Sequence, residues 1–235
     1  MIAAAPDGQP SFAFHGEGTA DRSLVLSDLP AALPPETLAL AFGSYTMAVE
    51  PVGSTFAALA EREKGRRVIS VDPNVRPTAV GDMTRWAGAA ERFYRTATLI
   101  KASDEDVHVA WGGRMSIAEA AAYWLGCGAR LVVVTEGAKG ATAFSGADRI
   151  SVPGRSVVVR DTVGAGDTFH AALLARLAGT GRLHPEAIAA LDTQAIGDLL
   201  AYANAAAAIT VTRRGADLPT AAEVEGSLHP RGRVH

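Results

Sequence analysis

The chain has 235 residues, 48% of them hydrophobic and 20% charged, with 22 Lys and Arg against 25 Asp and Glu for a net charge of -3. This balance excludes disorder over most of the length and a basic surface for nonspecific nucleic-acid binding, so a phosphorylated ligand has to be met by a local site. A lone cysteine, Cys127, excludes an internal disulfide framework, and no apolar run reaches the roughly 18 residues of a membrane span.

Residues 1–8 lack the basic segment and long apolar run of a secretory signal, which together with the cysteine usage favours a cytoplasmic setting. Asp7-Gly8 is a hairpin turn signal, and residues 11–14 form a candidate strand after it. A glycine-rich loop follows at 16–18, and residues 21–35 have no sustained period and read as connecting structure. Residues 38–42 predict a buried strand stopping at Gly43, and 52–64 a helix ended by Gly65. Strands at 68–71, 98–101 and 130–135 then alternate with helices at 84–97 and 116–126. Near-continuous Val, Leu and Ile runs separated by helices are what a parallel sheet covered on both faces requires. Residues 141–144 and 157–159 read as antiparallel additions, 167–177 and 196–211 as Ala-rich helices, and 231–235 as a frayed tail. The fold class is α/β with a mostly parallel sheet.

In open α/β sheets, ligands bind at the carboxyl ends of the strands. Four polar stretches fall there: 72–76 (Asp-Pro-Asn-Val-Arg), 101–106 (Lys-Ala-Ser-Asp-Glu-Asp), 135–140 (Thr-Glu-Gly-Ala-Lys-Gly) and 161–167 (Asp-Thr-Val-Gly-Ala-Gly-Asp). In the last, Gly164, Ala165 and Gly166 are small residues directly before a helix, so backbone N–H groups can converge on an anion. Asp167, in the first turn, can reach a hydroxyl lying beside that anion, a pairing suited to phosphoryl transfer. The plainer reading is a tight loop with an N-capping Asp. It is not a Walker A loop, because the Gly-Lys-Ser/Thr ending is missing. Arg76 sits in a loop stiffened by Pro73 and Pro77, where a guanidinium suits phosphate or sugar oxygens; the alternative is a surface ion pair of small value.

The stretch 161–169, Asp-Thr-Val-Gly-Ala-Gly-Asp-Thr-Phe, resembles the C-terminal fingerprint of the ribokinase-like (PfkB) carbohydrate kinases. Further stretches fall in that family's order. Asp72-x-Asn74-x-Arg76 and Lys101-x-Ser103-x-Glu105 resemble forms seen in its fructokinase branch, Thr135-x-Gly137-x-x-Gly140 resembles its nucleotide loop, and 204–216 its adenine-side helix and loop. The resemblance implies a three-layer α/β/α kinase fold using ATP and Mg²⁺, with K⁺ as a further cation. It makes Asp167 the catalytic base and Gly164, Ala165 and Gly166 the anion hole. Ser103, Thr135, Gly137, Gly140 and Asn204 would line the nucleotide site. Asp106 would organise Mg²⁺ through water, and Asp161, with carbonyls near Val211 and Arg214, would hold a monovalent cation. Gly16, Arg76 and Asp167 would face the sugar. Plainer readings stand beside these: Thr135 ends a strand, Asn204 faces solvent, and Ser103 and Asp106 cap the next helix.

The match to this family begins at its lid region, and the opening strands with the Gly-Gly-Asn-type motif are not found. The expectation is therefore a kinase lacking its N-terminal segment: a partial lid at 1–24, the kinase domain at 25–228 and a tail at 229–235. The expected activity is fructokinase-like phosphorylation of a sugar hydroxyl, with no nucleic-acid or membrane partner and a homodimer through lid strands left open. The alternatives are a catalytically defective nucleotide-binding remnant, or a 2-dehydro-3-deoxygluconate or nucleoside kinase.

Overall fold

The computed structural model describes residues 2–4, 10–12 and 18–229. The Asp7-Gly8 turn, the end of the strand expected at 11–14, Gly16 and the tail at 230–235 lie outside the described residues. Strands β1 (Ile2–Ala4) and β2 (Pro10–Phe12) pair antiparallel as a two-stranded ribbon. Short 3-10 turns at Ala20–Arg22 and Leu26–Asp28 then lead to β3 (Ala39–Gly43).

From there the chain alternates. Helix α1 (Val52–Glu63) is followed by β4 (Val68–Asp72), α2 (Pro77–Val80), α3 (Met83–Tyr94) and β5 (Leu99–Ser103). Next come α4 (Asp104–Trp111), α5 (Ile117–Cys127), β6 (Leu131–Thr135), and the hairpin of β7 (Gly140–Ser145) and β8 (Asp148–Pro153). Helices α6 (Ala165–Gly179), α7 (Pro185–Ala189), α8 (Thr193–Val211) and α9 (Ala221–Leu228) complete the described chain.

The six strands β3 to β8 form one sheet in sequence order, parallel from β3 to β6 and antiparallel across β6–β7 and β7–β8. Strand side chains alternate between faces. Ile69, Val71, Ile100, Ala102, Val132 and Val134 pack with Ala60, Trp86, Phe93 and Trp124, so α1, α3, α4 and α5 cover that face. Val68, Leu99, Leu131 and Val133 pack with Phe169, Leu173, Leu177, Ile196 and Leu200, so α6 and α8 cover the other. The result is the expected three-layer α/β/α arrangement. By the same alternation Ser70, Asp72 and Lys101 share a face with Val68 and Leu99, and look toward α6.

One expectation needs correction. Residues 157–159 are not a strand: the three valines are 38%, 82% and 57% exposed. The return strand is β8, because Gly146, at φ +56°, turns the chain immediately after β7 and β8 pairs with it from Asp148 to Pro153. β-branching at 157–159 registered strand preference, but the ladder was already filled. Helix α4 at 104–111 is capped by Ser103 and Asp106, as the plainer reading of those two residues had it, and Gly112 at φ +58° ends it.

Candidate active site

The carboxyl ends of the parallel strands lie side by side, with Gly43 opposite Asp72 and Ser103 opposite Thr135. Two reversals bring β8 back in the direction of β6, so its end, Pro153, pairs with Gly140 at this same edge. Three of the four polar stretches read from the sequence therefore meet here, and the fourth is brought to it by α6.

The turn from Asp161 to Asp167 is tied down from several sides. Asp161 Oδ1 accepts the Val163 N–H at 3.0 Å and Oδ2 the Gly215 N–H at 2.8 Å, and these amide bonds hold its carboxyl below the usual Asp range. Gly164 adopts φ +78°, and a Cβ there would lie 2.9 Å from the Ala216 methyl. Ala165 departs from its expected part: its N–H donates to the Thr162 carbonyl at 3.2 Å. The Thr168 N–H donates to the Gly164 carbonyl at 2.8 Å. The N–H groups of Gly164, Gly166 and Asp167 are left without a partner among the described residues, as the first amides of a helix are unless something caps them. The Asp167 carboxylate is exposed beside them, with no partner among the described residues.

Behind that turn is a buried charge cluster that the sequence reading did not assemble. Lys101 Nζ donates to Asp72 Oδ2 at 2.9 Å, with side chains 4% and 9% exposed. A Cβ added to Gly166 would lie 3.2 Å from that ammonium. On α6, His170 Nε2 is 2.5 Å from Ser70 Oγ, and its Nδ1 is 3.9 Å from Asp72 Oδ2. Burial, then the Lys101 charge, pushes the imidazole down to about 4, so it is neutral at neutral pH. Burial raises Asp72 above its ordinary range, partly offset by Lys101, with Asp106 and Asp167 adding to the rise. Half of the signal was present in the sequence, and the register supplied the rest. A Lys and an Asp interrupt two apolar runs, and the pairing of Ser70 with Leu99 and Val71 with Ile100 sets them opposite each other.

The loop after β4 hangs on Asp106. Its Oδ1 accepts the Val75 N–H at 2.7 Å, while Oδ2 accepts the Ser103 N–H at 2.9 Å and the Ser103 hydroxyl at 2.7 Å. The Asp106 N–H donates back to Ser103 Oγ at 3.0 Å, completing a capping box. Arg76 Nη1 donates to the Val75 carbonyl at 2.9 Å and lies 3.9 Å from Asp106 Oδ1, a third of its side chain exposed. Asn74 turns the loop at φ +39°, in the left-handed region where Asn is among the better-tolerated residues.

At the other end of the edge, Thr135 Oγ1 donates to the Ala102 carbonyl at 3.3 Å. Gly137 opens a 3-10 turn at φ +56°. Gly140, at φ +103°, has no room for a side chain, since a Cβ would meet the Val152 carbonyl at 2.2 Å. Asn204 does not face solvent: it is 8% exposed, and its Nδ2 donates to the Val152 and Pro153 carbonyls at 3.2 and 3.3 Å. The Val211 carbonyl near Asp161 accepts the N–H groups of Arg160 and Asp161 at 2.7 and 3.3 Å. Among the described residues no three His, Cys, Asp or Glu side chains converge as a metal cage.

The carboxyl edge of this three-layer α/β/α sheet thus brings together a glycine turn, a solvent-open carboxylate and amides with no partner among the described residues. The chain belongs to the pfkB family of carbohydrate kinases, which it matches over residues 1–222. It is 42% identical to a fructokinase of Rhizobium leguminosarum bv. trifolii over 191 residues, 81% of this chain and 58% of that protein. It is 32% identical to a fructokinase of Klebsiella pneumoniae over 224 residues, 94% of this chain and 70% of that one. Among solved structures, fructokinase from Vibrio cholerae O395 with fructose, ADP and calcium ion is similar at a TM-score of 0.73 and 30% identity, over 87% of this chain and 64% of that one. Fructokinase from Xylella fastidiosa with bound ATP is similar at a TM-score of 0.87 and 25% identity, over 97% of this chain and 72% of that one. No helix among the described residues is long and apolar enough to cross a membrane.

Proposed function

We propose that the chain transfers the terminal phosphoryl group of ATP to a hydroxyl of a furanose or ketose sugar, with fructose as the leading substrate. The observation that carries this reading is the exposed Asp167 carboxylate standing beside the Gly164, Gly166 and Asp167 amides, which have no partner among the described residues. A carboxylate there accepts the proton of the attacking hydroxyl, while the amides and the α6 dipole stabilise charge on the moving phosphoryl group. The fructokinase relatives, and fructose in the Vibrio structure, favour fructose over the deoxygluconate and nucleoside alternatives.

Other residues take supporting parts in the proposal. Thr135, Gly137 and Gly140 shape the nucleotide side, and Asn204 maintains it by anchoring the end of β8. Ser103 and Asp106 fix the loop from which Arg76 reaches phosphate or sugar oxygens, and the segment 1–24 serves as a partial lid for the kinase domain at 25–228. Mg²⁺ fits as a companion of the phosphates, which supply most of its ligands. Three protein donors occupy Asp106, leaving about one of a carboxylate's four acceptor positions for a metal-bound water. When bound, Mg²⁺ would neutralise charge on the phosphates. A K⁺ ion at Asp161 would share the carboxylate with the Val163 and Gly215 amides. A homodimer through lid strands and a cytoplasmic location complete the proposal.

The test is ADP release by the purified chain with ATP, Mg²⁺ and K⁺ across a sugar panel. Fructose-dependent release well above the sugar-free rate is expected. ATP binding without sugar-dependent release from any panel member would leave a nucleotide-binding protein and refute the kinase reading.

A further inference from the structure

Lys101 and Asp72 are opposite charges buried against α6, and the roles assigned above use neither. A buried ion pair is weak evidence for stability, since an apolar pair of similar volume often does as well. The geometry points to another part. The ammonium sits with one N–H on Asp72 Oδ2 at 2.9 Å, directly behind the turn, where a Cβ on Gly166 would come within 3.2 Å of it. A side chain at 166 would press on the ammonium, which would have to move by a few tenths of an ångström to admit it. His170, one turn beyond Asp167, stands 3.9 Å from the same carboxylate oxygen and is itself held by Ser70 at 2.5 Å. Its neutral imidazole walls off the carboxylate without competing as a cation. Asp72 Oδ1 is buried with no hydrogen-bond partner among the described residues, so the carboxylate's one strong hold within the cluster is on Lys101.

We propose that Lys101 is a positioning residue whose ammonium, fixed by Asp72 and walled by His170, backs the turn at Gly164–Asp167 and gives it a preference for the third phosphate of a nucleoside triphosphate. The inference rests on the kinase reading and adds to it a determinant of triphosphate over diphosphate binding. The pair is neutral as a whole, but its ammonium is the end nearer Gly166, the one heavy atom that a Cβ there would meet, so it presents its positive end to the three amides and adds to their attraction for a dianion in a poorly screened setting. It does so without touching the phosphate.

Removing one partner alone would strand a buried charge. The variants are therefore Asp72→Asn/Lys101→Met, which removes both charges, and Asp72→Asn/Lys101→Gln, which keeps an uncharged hydrogen bond between the two side chains should the first fail to fold. Calorimetric titration of the full chain with Mg²⁺-ATP and Mg²⁺-ADP reads the result. Affinity for ADP is expected to stay within about twofold while affinity for ATP falls about tenfold or more. A merely structural role would lower both affinities together, and that result, or an unchanged ATP-to-ADP ratio, would overturn the proposal. Failure of the unmodified chain to bind either nucleotide would overturn the kinase reading and this inference with it. Normal binding by the unmodified chain and by both variants would overturn the inference alone.

Discussion

Gly140 and Gly65 both adopt positive φ, at +103° and +74°, yet they differ in surroundings. Gly140 faces the Val152 carbonyl, whereas a side chain at Gly65 would enter open space. Gly140→Ala should therefore lose more than about 3 kcal/mol of stability through combined overlap and strain. Gly65→Ala should lose about 1–2 kcal/mol from the left-handed backbone alone, and urea unfolding of the two variants checks the difference. Asp161 offers a second test. Its folded pKa lies below the unfolded value, so its tie between the 161–167 turn and Gly215 holds above the ordinary Asp range and is lost as pH falls through the folded value. Protection of the Gly215 amide, its exchange rate set against the intrinsic rate at each pH, should fall on acidification, and Asp161→Asn should abolish that pH dependence. At this scale the sequence was legible wherever the requirement is local. Small residues before a helix followed by an acidic one marked the turn at 164–167, and Gly164 takes the positive φ there. Asn204 was not legible, because its partners are carbonyls about fifty residues away that only the end of β8 delivers.

Helices α4, α5 and α9 begin with the same device, and the first two make a contrast. Ser116 and Glu119 form a capping box at α5, and Ser103 and Asp106 form one at α4. The first is exposed and serves its helix alone, whereas Asp106 is buried and also holds the Val75 N–H. Ser116→Ala should cost about 1 kcal/mol, the usual value of an N-cap, and leave ATP affinity unchanged. Asp106→Ala should cost about 1–3 kcal/mol beyond its cap by stranding the buried Val75 amide. It should also weaken nucleotide or sugar binding, because the loop carrying Arg76 loses its anchor. Thermal unfolding paired with calorimetry separates the two. Strand and helix types followed from apolar period over most of the chain, and the boundaries moved by only a few residues. The failure at 157–159 has a physical origin. Three valines favour a strand, but a strand needs an open edge in the right place, and the tight turn at Gly146 had already brought β8 to that edge.

Across the whole molecule, each strand's alternation divides the core into two layers and sends Ser70, Asp72 and Lys101 to the α6 side. That division was implied by the alternating βα order, but the charge cluster required the register as well, which sequence period alone does not give. The cluster makes folding sensitive to acid. His170 has a folded pKa pushed down to about 4 from an ordinary 6.5, so the unfolded chain binds the extra proton between those values. Stability from this group is full above about pH 6.5 and falls by about 3 kcal/mol as pH approaches the folded value. Asp72, with its pKa raised, works in the opposite sense and recovers part of the loss on protonation. Unfolding free energy should decline from pH 7 to pH 4.5, and His170→Asn should flatten that decline.

The central claim is that Asp167 serves as the base for phosphoryl transfer to a sugar, and labelled-phosphate transfer from ATP to fructose by the chain and by Asp167→Asn tests it most directly. Transfer by the unmodified chain, reduced about 10²- to 10⁴-fold or more in the variant with ATP affinity retained, is the predicted result. Equal transfer by the two proteins would contradict the account.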